Sequence, residues 1–60
     1  MSQLIPVTLH EMVVEVEREV ALRRRVYPRW VEQGKIKLDR AERQIEVMEA
    51  VAAHLQRGAP

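Results

Sequence analysis

Apolar residues recur along this chain in steps of three and four. Near the C-terminus the row is Leu38, Ala41, Ile45, Met48, Ala52 and Leu55, and an earlier row on the same beat is Leu9, Val13, Val16, Val20, Arg23, Tyr27 and Trp30. That spacing places each row on one face of an α-helix, as in a coiled-coil seam. Two such helices joined near Gly34 predict an all-α, antiparallel helical hairpin. Both stripes are wider than one seam requires: Met12, Val26 and Val31 flank the first row, and Val47 and Val51 flank the second. A broad stripe implies contact with more than one neighbouring helix, and two hairpins meeting as a dimeric four-helix bundle would use it.

The ends of the elements are readable. Pro6 disfavours helix at Ile5, so residues 1–7 form an extended lead-in. Thr8 is a good N-cap, and Glu11 three residues later completes a capping box. Pro28 removes a backbone donor inside the first helix. The seam nevertheless keeps its beat at Tyr27 and Trp30, which favours a kinked continuation to about Gln33 over a stop at Tyr27. Gly34 suits the position just past the helix end. The second helix begins between Lys37 and Asp39, with Asp39 and Glu42 spaced to cap it and Leu38 placed as a staple just outside. It ends near Gln56 or Arg57. The hairpin thus spans 8–57, and 58–60 form a frayed tail.

A short loop at Gly34 sets a register in which facing residue numbers add to about 71 or 72, given antiparallel helices in contact along their length. Trp30 then faces Ala41, Tyr27 faces Ile45, Val20 faces Ala52 and Val16 faces Leu55. A break at Tyr27 would shift this by one heptad and bring His10 beside His54. In the favoured register Leu9, Met12 and Val13 overhang the second helix. Together with Val47 and Val51 they form the candidate oligomer or partner interface, and Val14 and Leu22 add apolar surface elsewhere.

Size sharpens this expectation. Sixty residues make at most one domain, and chains this small bury too little surface to be stable without disulfides, metal or partners. There is no Cys, so disulfides and thiolate metal sites are excluded. Self-association is the remaining common route by which a two-helix chain of this size adds apolar burial, with a dimer favoured. No apolar stretch approaches the length of a membrane span, and the N-terminus lacks the basic region and apolar run of a secretory signal.

Charge is unevenly placed although the net charge is only +1. Residues 1–17 carry three Glu and no Lys or Arg; residues 18–43 carry nine basic against four acidic residues; residues 44–60 carry two Glu against Arg57. The loop pole of the hairpin is therefore basic and the open pole acidic. Arg18, Arg25 and Arg29 fall on the face opposite the seam, with Arg24 to one side. Arginines at helical spacing suit phosphates or an acidic partner, and Trp30 could stack a base. The plainer reading is that these arginines favour the helix dipole and make i,i+4 pairs such as Glu19–Arg23 and Asp39–Arg43, with Trp30 in the core. Arg23 is a charge in the seam. Glu42, Glu46 or a second chain could satisfy it, or its stem could lie along the seam with its head in water.

Little else carries chemistry. His10 and His54 lack metal-ligand spacing, the glutamates follow surface spacing, and neither Ser2 nor Thr8 has an adjacent base. No catalytic residue, metal site or cofactor is expected.

The stretch Arg23-Arg24-Arg25-Val26-Tyr27-Pro28-Arg29-Trp30-Val31, followed by Gly34 and by Ile45-Glu46-Val47-Met48-Glu49-Ala50-Val51, resembles a family of small uncharacterised proteins encoded in bacteriophages and prophages, over about residues 14 to 52. The resemblance implies an accessory protein of the bacterial cytoplasm that binds a host or phage macromolecule. Members often carry a cap-forming Thr where Lys37 stands here, implying that the second helix starts at that point. It implies no site residues.

Overall fold

The computed structural model describes residues 5–58 and consists of two α-helices, α1 (Leu9–Glu32) and α2 (Leu38–Arg57), packed as an antiparallel hairpin. The N-terminal stop of α1 is the anticipated one. Thr8 is in the extended conformation, its hydroxyl accepts from the Glu11 backbone N–H at 3.1 Å, and its own N–H donates to the Glu11 carboxylate at 2.9 Å. The backbone N–H of Thr8, aided by its hydroxyl, holds the Glu11 carboxyl below the ordinary carboxylate range.

The helix runs through Pro28 without a break. Pro28 is exposed and has no N–H to offer the carbonyl four residues back, so that turn has one bond fewer. The end of α1 is a Schellman motif: the Gly34 N–H donates to the Val31 carbonyl at 3.0 Å and the Lys35 N–H to the Trp30 carbonyl at 2.9 Å. Gly34 adopts φ +73°, the one positive φ recorded among the described residues. Open space surrounds the position of a Cβ there, so glycine is needed for its backbone alone.

The start of α2 departs from the capping expectation. The N-cap is Lys37, with no side-chain cap, and Asp39 lies within the first turn, its carboxylate accepting from the Arg40 N–H at 2.7 Å. Asp39 faces uncapped N–H groups from inside the helix, where its charge still complements the dipole. Leu38 is the first helical residue, not a staple outside it, and is 59% exposed.

The register agrees with the longer first helix. Tyr27 bonds Gln44, Arg24 meets Glu49 and Glu17 meets Gln56, so facing residue numbers add to about 72. The alternative pairing through the two histidines is excluded. The core is thin: Val20, Tyr27, Ala41 and Ala52 are buried, and no large side chain among the described residues is fully enclosed. The two buried alanines of α2 lie beside larger residues of α1, Ala52 beside Val20 and Ala41 beside Tyr27 and Val31.

Trp30 does not join this core. It is 40% exposed, its ring lying 5.4 Å from that of Tyr27. A row with strict seven-residue repeats drifts by about 20° per heptad around a straight helix. Three heptads separate Leu9 from Trp30, so the seam ends on Val31, which lines the interhelical groove with Tyr27 and Ala41.

Two outcomes follow. Gly34→Ala should lower stability by about 1 kcal/mol through its backbone alone, read as a lower denaturant midpoint with unchanged slope. Glu11→Gln keeps the cap geometry but removes its titration. Because the folded carboxyl has the lower pKa, its contribution is present above the unfolded value and fades as pH falls through the folded one. The acid side of the stability profile should therefore flatten in Glu11→Gln.

Candidate interaction surface

Seen along the seam, the hairpin has two flanks of different character. On one flank polar residues bridge the helices. Arg24 pairs with Glu49, and the Gln56 amide donates to the Glu17 carboxylate. These residues rim a shallow groove floored by Val20, Ala21 and Ala52. Arg24, expected as a contact for phosphate or an acidic partner, is thus engaged within the chain.

The other flank is apolar with a polar centre. Met12, Trp30, Val47 and Val51 are 41, 40, 47 and 38% exposed, and Val16, Val26 and Leu55 lie half-buried beside them. At helical spacing these residues share one side of α1 and of α2. In their midst Arg23 is only 24% exposed. Its Nε donates to Glu19 at 2.8 Å and its Nη1 to the Gln44 carbonyl at 3.3 Å, while the guanidinium lies 6.0 Å from the centre of the Tyr27 ring. The Tyr27 hydroxyl donates to the Gln44 side chain at 2.9 Å. Arg23 is therefore held by Glu19 and a carbonyl of α2 rather than by Glu42 or Glu46, which lie on the opposite flank of α2. Gln44 was not foreseen in this role, although its place beside the seam opposite Tyr27 was the available signal.

Of the remaining candidates, Leu9 and Val13 are half-buried, and Met12 is exposed at the end that overhangs α2. Val14 and Leu22 are exposed away from the seam. Arg18 pairs with Glu15 at 2.8 Å, and Arg43 pairs with Glu46 rather than with Asp39. Arg43 has a neighbour on its own flank in Glu46, three residues on. Among the described residues, Arg25 and Arg29 have no ion-pair partner and form the exposed basic remnant of the row.

No group of three or more His, Cys, Asp or Glu among the described residues could hold a metal ion, and His10 and His54 are both exposed. No helix of the described residues is long and apolar enough to cross a membrane.

No family model, curated protein or solved structure matches the chain.

The polar centre gives one measurable consequence. Tyr27→Phe removes the bond to Gln44 while keeping the ring in the seam. It should cost about 1 kcal/mol, seen as a lower thermal midpoint with unchanged helical circular dichroism.

Proposed function

We propose that this chain is a non-enzymatic, self-associating helical interaction module that acts by binding a host or phage protein. The observation that carries the reading is the apolar flank, where Met12, Trp30, Val47 and Val51 stand half-exposed on a hairpin with four buried side chains. A chain of this mass in compact form exposes about 4,000 Å². This one exposes 5135 Å². The uncovered flank is where a protein surface would remove apolar area from water. The RRRVYPRWV stretch supports a phage or prophage setting by resemblance.

A second reading has its own observation. Arg25 and Arg29 are exposed and unpaired among the described residues, next to the basic loop pole. They suit a nucleic-acid backbone together with the exposed Lys35, Lys37 and Arg40 of that pole, but the Arg24–Glu49 and Arg18–Glu15 pairs withdraw the rest of the arginine row.

Sedimentation equilibrium at micromolar concentration should return the mass of two chains, and a stable folded monomer would defeat self-association. Fluorescence titration with single- and double-stranded nucleic acid at low salt should show no saturable binding. Binding that weakens steeply with salt and is lost in Arg25→Glu/Arg29→Glu would replace the protein-binding reading with the nucleic-acid one. Affinity capture from host lysate with the parental chain, compared with a Leu22→Arg variant that leaves the self-association flank intact, should yield a partner retained by the first and lost by the second.

A further inference from the structure

We infer that the apolar flank is occupied by a second copy of this chain, related by a two-fold axis that passes between Glu19 and Arg23 of α1 and across Val51 of α2. The inference rests on self-association and adds the face, the direction and the register. It comes from a symmetry in the residues themselves.

On α1 the flank reads Met12, Val16, Glu19, Arg23, Val26, Trp30, with steps of four, three, four, three and four. The spacing is the same from either end. Laid antiparallel on itself about its midpoint, the stripe places Met12 against Trp30 of the second copy, Val16 against Val26, and Glu19 against Arg23. Each pairing is chemically complementary. A methionine sulfur against an indole is a favourable contact, two valines fill the next layer, and opposite charges meet at the centre twice over. On α2 the residues of this flank are Val47, Val51 and Leu55. An antiparallel pairing about Val51 sets Val51 on itself and Val47 against Leu55 of the second copy.

The two midpoints are independent features of the sequence, yet the hairpin puts them at one height. The cross-links Arg24–Glu49, Glu17–Gln56 and Tyr27–Gln44 fix facing numbers that add to about 72. In that register the point midway between Glu19 and Arg23 lies opposite Val51. One axis therefore serves both helices, as an isologous dimer requires. The same rotation lays the basic loop pole of each copy over the acidic open pole of the other, so the charge of the ends is complementary as well.

The geometry also gives the overhang and the half-buried Arg23 a use. The overhanging first turns of α1, with Met12, reach across to Trp30 at the loop end of the second copy. Arg23 and Glu19, already paired at 2.8 Å, become a closed set of four alternating charges at the centre of the bundle. A polar group there fixes pairing register, because any slip leaves charges against apolar residues. An unrelated protein partner would need no such self-complementarity.

Two measurements test this. In Glu19→Arg the central positions carry only positive charge, and in Arg23→Glu only negative charge. Each variant alone should dimerise at least about tenfold more weakly than the parent, and an equimolar mixture should recover parental association as a heterodimer. Within each chain the two positions remain like-charged in the mixture, so recovery can only come from the other copy. Separately, the chain has no Cys, and Val51→Cys should oxidise readily to a disulfide-linked dimer, whereas Leu22→Cys on the outer face should not. A parental dimer whose charge variants associate as the parent does, whose mixture fails to recover, or whose Val51→Cys links no faster than Leu22→Cys overturns this axis and leaves self-association standing. A monomeric parent overturns both.

Discussion

The fit of Val20 and Tyr27 of α1 against Ala52 and Ala41 of α2 is the contact on which the rest depends. A large residue beside a small one lets the helices close, and Val20 against Ala52 sets a register in which facing numbers add to about 72. That register decides which polar residues meet across the hairpin. Arg24 reaches Glu49 and Glu17 reaches Gln56 on one flank, while Arg23 and Tyr27 converge on Gln44 on the other. It also decides what is left over. The first turns of α1 extend past α2, and the apolar residues that the seam cannot absorb gather on the flank around Arg23.

The asymmetry between the flanks has an energetic meaning. Exposed ion pairs such as Arg24–Glu49 contribute little to stability, but they leave their flank polar and content in water. The Arg23 cluster lies in an apolar surround, where each bond is stronger and each missing bond costs more. Its members are matched: the guanidinium has a carboxylate, a carbonyl and an aromatic ring, and the phenol has an amide oxygen. A flank arranged this way can be covered without stranding a charge, which is what the proposed two-fold pairing requires.

Much of this was legible in the sequence because it depends on local rules. Thr8 with Glu11 marks a helix start, Gly34 marks a stop that needs positive φ, and the alternation of steps gives both helices and, with the loop length, their register. Continuity through Pro28 is expected because Tyr27 and Trp30 keep the beat across the proline; the helix does continue, but Val31 rather than Trp30 carries the seam beyond it. What was not legible depends on small angular drifts and on competition between neighbours. Trp30 keeps the heptad count yet leaves the seam, since a straight helix does not repeat in seven residues. Asp39 has a capping residue's chemistry, but the helix begins at Leu38, so the cap position falls to Lys37. Arg24 reads as a free cation in a basic run until Glu49 is placed across from it.

Under the proposed two-fold pairing the hairpin is incomplete by itself, and its own second copy completes it. Thermal unfolding followed by circular dichroism over a hundredfold range of chain concentration tests this directly. If folding and pairing are linked, the midpoint temperature rises steadily with concentration. A midpoint that stays constant over that range would contradict this pairing, because it would mean that the two helices are stable with the flank around Arg23 left in water.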